Sequence, residues 1–252
     1  MFEKTRKKMR VGFWILTLVT ALIIGFVCGF NDVSDRTYHI VLVVYAVVMV
    51  GIWFAWNFAY TASFSKEVNG LVSILYDDED PDRYLMELDR CLGDVKSKGF
   101  RTVYVINSAV AYCDKGDYQK AKELLAGIKS WKRYGITRLV YEMDVAMVAM
   151  HLGDGETALR IWNENKPEFI KLSGAKNIGA TVAAIGVFAA ICEGQTAAAR
   201  RALEAAKEAW TKPRNQRAFA FLEDILVSME ESESAEPADE APERDVQEAE
   251  NE

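Results

Sequence analysis

The sequence is poor in the residues that most active-site chemistry needs. It has two histidines, His39 and His151, and four widely spaced cysteines, Cys28, Cys91, Cys113 and Cys192, with no Cys-x-x-Cys pair. Neither a disulfide framework nor a zinc site fits that spacing, and reduced thiols on the cytosolic side are the plain expectation. There is no Gly-rich phosphate loop, no Gly-x-Ser-x-Gly and no His-Glu-x-x-His, so hydrolysis, phosphate binding and metal catalysis find no motif. The chain is expected to be no enzyme and to need no metal, cofactor or small-molecule substrate. His151 stands just before Gly153, where a ring can meet the last carbonyls of a helix. The run Asp77-Asp78-Glu79-Asp80 reads as a solvated helix start, because consecutive acids do not converge on a cation without a shaped loop. A basic stripe with interleaved aromatics is also missing, so nucleic acid is not an expected partner.

Charge is missing over a long stretch. From Val11 to Ser65 the ionised side chains are Asp32, Asp35 and Arg36, all in the gap between two apolar runs. Each run is long enough, at about 1.5 Å per helical residue, to cross a hydrocarbon core of about 30 Å. The first is longer than a secretory signal core, no small-x-small cleavage site follows it, and the second run begins six residues later. The reading is a permanent two-span hairpin over residues 11–65, with spans at about 11–30 and 38–60. Lys4, Arg6, Lys7, Lys8 and Arg10 precede it while the loop carries Arg36 alone, which places the N-terminus and the domain after Lys66 in the cytoplasm. The lipid bilayer is thus the first expected partner, and the cell membrane the expected location.

Tyr38, Trp53, Trp56 and Tyr60 suit interfacial belts, with Trp14 near the inner face. Neither span holds Asp, Glu, Lys or Arg, the groups that mark an ion path, so the hairpin reads as an anchor. Gly25-x-x-x-Gly29 suits close helix approach, equally by packing on the second span or by dimerisation.

The formal net charge of −7 is unevenly distributed. Eleven acids and one base between Glu230 and Glu252 give that segment −10, so the remainder is +3, and residues 1–10 carry +4. Residues 230–252 are expected to form a disordered acidic tail, and residues 66–229 a single helical domain.

Within that domain the pattern is helical, with breaks at regular distances. Asn107–Ile128 contains Gly116-Asp117-Tyr118 between two amphipathic stretches; glycine can end the first helix at positive φ and aspartate can start the second. Gly116, Gly153 and Gly194 each have an alanine five residues later (Ala121, Ala158, Ala199) and a bulky residue nine later (Leu125, Trp162, Leu203). The surplus length between units is expected in joints near Ser130–Ile136 and Asn165–Lys176. A fainter pair precedes them: Lys66–Tyr76, then a helix opened by Asp80-Pro81-Asp82. Lys212-Pro213 begins a last helix with Leu222, Ile225 and Met229 on one face, expected to cap the stack.

This register resembles the tetratricopeptide-repeat family, over about Arg101–Trp210, and more faintly over Lys66–Asp94. The resemblance implies an all-α fold: a two-helix transmembrane hairpin, then a tetratricopeptide-like α-solenoid of three to four helix pairs with a capping helix. Small bacterial membrane proteins of this kind look similar. In such proteins the first helix of each pair lines a peptide-binding face, which corresponds here to Ile106, Val110, Cys113, Met143, Met147, Met150, Ala184, Phe188 and Ile191. All nine are apolar, so recognition of a terminal carboxylate is rejected. Two readings stay open: a groove for an apolar peptide or amphipathic helix, or core covered by neighbouring helices. The function expected is a membrane-anchored adaptor or scaffold that binds another protein or peptide. The alternative is a structural subunit assembled through its hairpin.

Overall fold

The computed structural model describes residues 2–31, 33–128, 135–176 and 178–235. Among them the chain is all-α, with ten helices: α1 (Phe2–Phe30), α2 (Asp35–Tyr76), α3 (Pro81–Leu92), α4 (Lys98–Asp114), α5 (Tyr118–Ala126), α6 (Ile136–His151), α7 (Gly155–Lys171), α8 (Gly179–Cys192), α9 (Thr196–Ala209) and α10 (Pro213–Ala235). They cluster into two compact units, Met1–Val148 and Ala149–Glu252. The single domain expected over residues 66–229 is thereby divided inside α6. The joint expected at Ser130–Ile136 lies largely outside the described residues, as does the tail beyond Ala235.

In the first unit, α1 and α2 are each long and apolar enough to cross a membrane. Ser34 caps α2, its hydroxyl accepting from the Thr37 N–H. The hairpin is held at a few points. Midway, the Tyr45 hydroxyl donates to the Thr17 carbonyl at 2.6 Å and meets the Thr20 hydroxyl at 2.7 Å. Nearer the ends, Phe13 is buried against Trp53, with ring centroids 4.9 Å apart. Most other apolar side chains of both helices face outward, Phe26, Phe30, Phe54 and Phe58 among them. In water that surface would carry a large hydrophobic penalty; in hydrocarbon it carries none.

The boundary expected at Ser65 is not a structural break. α2 runs on for 42 residues, about 63 Å, and its last turns enter the core of the unit. Phe64, Val68, Ile74 and Leu75 bury themselves with Tyr84, Leu88 and Leu92 of α3 and with Val95 and Ala111. No glycine separates α2 from α3; Glu79 takes the left-handed conformation there at φ 51°. Asp80 then caps α3 by accepting from the Arg83 N–H at 2.9 Å, with Pro81 in the first turn. A second cluster joins α4, α5 and the first part of α6 through Ile106, Ala109, Ala121, Leu125 and Val148.

The second unit is built on α8, a short apolar helix in which Ala184, Ile185, Val187, Phe188 and Ile191 are all buried. α7 and α9 pack on it, and α10 packs on both α8 and α9. The joint expected at Asn165–Lys176 starts later, because α7 continues through Pro167 to Lys171. Phe169 is fully buried and anchors that extension, and Asn165 satisfies its own amide by donating to the Ile161 carbonyl. Glu230 to Ala235, expected in the disordered tail, are helical. α10 is helical to Ala235, and Glu230 receives a 2.7 Å ion pair from Arg200 of α9.

Three turns repeat one geometry. Gly116, Gly153 and Gly194 have φ of 78°, 74° and 69°. At each, the glycine N–H bonds the carbonyl three residues back and the next N–H bonds the carbonyl five back. Asp117 and Asp154 cap the helices that follow, accepting from Lys120 and Thr157 N–H groups; Gln195 makes no side-chain cap. The alanines five residues on, Ala121, Ala158 and Ala199, are all buried, as are Leu125 and Leu203, while Trp162 is half-buried.

Candidate functional site

The nine residues singled out on the first helices do not form one exposed strip. Ile106, Met143, Met150, Ala184, Phe188 and Ile191 are buried, and Val110, Cys113 and Met147 are half-buried. Within the first unit they even divide between cores. Ile106 and Cys113 belong with α5 and α6, whereas Val110 packs against the cluster formed by α2 and α3. In the second unit, Ala184, Phe188 and Ile191 are the interior of α8, a helix covered on most sides. Periodicity marks an apolar face, and here that face is spent largely on packing.

An accessible apolar face does exist, on α10. Phe219, Leu222 and Leu226 turn into the core and are fully buried. The neighbouring stripe of Phe221, Ile225 and Met229, each half-buried, lines a shallow open cleft with Asp224, Ser228 and Ser232. The sequence expectation put Leu222, Ile225 and Met229 on one packed face. The helix is rotated from that by about 60°, because Phe219 and Leu226 complete the core set. The i, i+4, i+8 spacing of Phe221, Ile225 and Met229 was the available signal for the second face.

Around this cleft the chemistry is sparse. His151 is held against Phe221, ring centroids 4.3 Å apart, and burial pulls its imidazole down from 6.5 to about 4. It is therefore neutral near pH 7, a packed aromatic more than an acid or base. Ion pairs tie α9 to α10: Lys207 meets Glu223 at 2.7 Å, and Arg200 reaches both Glu223 and Glu230. The hydrogen bond from Lys207 holds the Glu223 carboxyl below its ordinary value.

Elsewhere, burial pushes the Cys91 and Cys192 thiols up, away from the thiolate that a nucleophile needs. Cys91 also faces Glu67, its Sγ 3.7 Å from the carboxylate. Tyr84 is buried, donates to Asn107 Oδ1 at 2.7 Å, and has its phenol raised by burial and then by the nearby Tyr76, Asp114 and Asp144. In the acidic run, Asp78 pairs with Arg83 at 3.3 Å and Asp80 caps α3, so these carboxylates turn to separate partners. Among the described residues no group of three or more His, Cys, Asp or Glu is placed to hold a metal ion.

Compared with protein-family models, curated proteins and solved structures, the chain has no match. The fold therefore defines its class by itself: an all-α chain carrying two helices long and apolar enough to span a membrane.

Proposed function

We propose that this chain is a membrane-anchored helical-repeat protein that faces the cytoplasm and holds another protein at the inner membrane surface. The observation that carries the reading is α2, one unbroken helix whose first part is apolar enough to span and whose last turns build the core of the first unit. A body fixed to its anchor by a continuous helix has a set height above the bilayer, which suits recruitment. The three equivalent glycine turns support a tetratricopeptide-like organisation of the helix pairs. The open stripe Phe221, Ile225 and Met229 is where an amphipathic helix of the partner would lie, since it offers apolar anchors at helical spacing.

One observation favours a second reading, assembly through the hairpin. A Cβ placed on Gly25 or Gly29 would meet nothing within 4 Å, so neither glycine is used to pack α1 on α2. Crosslinking of the full chain in native membranes separates the two. Under the first reading, Ile225→Asp with Met229→Asp abolishes the crosslinked partner while an unrelated two-span anchor in place of residues 1–60 retains it. The opposite pattern supports assembly through the hairpin. Phe188→Asp is unsuitable as a probe because that side chain is buried.

A further inference from the structure

The mouth of the hairpin opposite its loop carries a second feature. Met9 and Arg10 of α1 and Trp53, Trp56, Asn57 and Tyr60 of α2 surround a small cleft. Arg10 and Trp56 are exposed while Asn57 and Tyr60 are half-buried. The floor is firm. Phe13, one turn below Arg10, is among the few buried side chains of the two spans, with Trp53 at 4.9 Å and Trp56 at 6.3 Å between ring centroids. Asn57 donates one amide hydrogen to the Trp53 carbonyl at 2.8 Å, which orients the side chain and leaves its second N–H to spare.

Depth and charge define what fits. Arg10 to Phe30 is 21 residues, about 31 Å of helix, so a hairpin loop at one surface puts Arg10 and Asn57 at the other. From Thr37 to Tyr76 the single acid is Glu67, and its carboxylate lies at Cys91, so among the described residues no carboxylate lines the cleft. A cation, an amide donor and indole and phenol rings at that depth match the phosphate and glycerol region of a lipid. The space inside is about 20 Å³, room for roughly one water-sized atom group.

We infer that this cleft binds the phosphate diester of an anionic phospholipid of the inner leaflet. One phosphate oxygen enters the cleft, Arg10 pairs with the headgroup charge, Asn57 donates to the phosphate, and Trp56 and Tyr60 flank the glycerol. This rests on the membrane reading above, and the two fail differently. Flotation of the full chain with pure phosphatidylcholine vesicles tests the spans alone; a chain that does not float overturns both.

With flotation established, native mass spectrometry after extraction from mixed phosphatidylglycerol and phosphatidylcholine vesicles reads the site. The expected result is one retained phosphatidylglycerol in preference to phosphatidylcholine. Arg10→Gln should lower that retention about fivefold, with flotation unchanged because both apolar helices are intact. Lys8→Gln, which removes equal charge two residues away on another side of α1, should change it less than twofold. Equal losses in both variants, or no preference in the parent chain, would overturn the site in favour of diffuse surface attraction.

Discussion

Phe64 of α2 and Phe100 of α4 lie ring on ring, with centroids 3.8 Å apart and planes 15° from parallel. Tyr60, one turn earlier, reaches the same Phe100 ring at 5.8 Å. The junction between the apolar hairpin and the helices that follow is thus an aromatic stack on a continuous helix, not a linker.

Removing the buried half of that stack should loosen the packing of α2, α3 and α4 but not the apolar hairpin. Phe64→Ala is expected to cost about 3–4 kcal/mol, the range for a buried aromatic truncated in a core. In a double-mutant cycle with Phe100→Ala, about 1 kcal/mol should appear as coupling between the rings. Denaturation of the full chain in micelles, followed by helical circular dichroism, measures both.

Continuity itself can be tested at Ala62, which is exposed and so contributes little packing. Proline there removes one helical hydrogen bond and clashes with the preceding turn, at about 3 kcal/mol. Hydrogen exchange should quicken from Phe64 to Tyr76 in Ala62→Pro while the chain still floats with vesicles. Unchanged protection across those residues would mean that α3 and α4 hold the segment without its helical connection.

The turns give paired expectations of opposite sign. Alanine at Gly116, Gly153 or Gly194 forces a Cβ into the left-handed region and should cost about 1–2 kcal/mol at each, although none of the three would meet a neighbour. At Glu79 the strain already exists, so Glu79→Gly should gain up to about 1 kcal/mol, less whatever its side chain contributes. Melting of the four variants in parallel checks the set.

Two spacings in the sequence carried most of the fold. The two uncharged runs on either side of Asp32, Asp35 and Arg36 marked the long apolar helices, because ionised groups are costly in apolar surroundings whatever the tertiary structure. The Gly, Gly+5, Gly+9 register marked the three turns, because positive φ and a buried small residue are local requirements. What it did not carry was which side of each helix stays open. Ile106, Val110 and Cys113 are equally apolar in sequence, yet they pack toward two different cores. Ile225 and Leu222 differ by three positions, yet one lines an open cleft while the other is fully buried. Those distinctions depend on how neighbouring helices are rotated, and a few interlocking contacts set that.

One such contact is between Gly186 of α8 and Trp162 of α7. A Cβ at Gly186 would stand 3.0 Å from the nearest ring carbon of Trp162, tighter than most Cβ contacts, so the indole would have to shift by a few tenths of an ångström. Gly186→Ala should therefore cost about 1–3 kcal/mol as overpacking, and Trp162→Leu in the same chain should recover part of it. Losses that simply add would show that the indole gives way without help. Gly179 is less forgiving, since its Cβ would meet the Ser173 carbonyl and the Trp210 ring at once.

The His151–Phe221 contact ties the second unit to pH. With its folded value near 4 against an ordinary 6.5, the ring binds a proton more readily in the unfolded chain throughout that window. The stability it contributes is fully present above about pH 6.5 and is lost as the pH falls toward 4. The full shift would amount to at most about 3 kcal/mol, and a half-covered ring that keeps some water should deliver about 1–2 kcal/mol. His151→Phe preserves an aromatic against Phe221 and cannot titrate. Measured against the parent chain at pH 7 and again at pH 4.5, the variant should gain relative stability at the lower pH by that amount. A constant difference across the two would mean that the imidazole reaches water in the folded state, and the cleft beside Phe221 would then be more open than the ring contact implies.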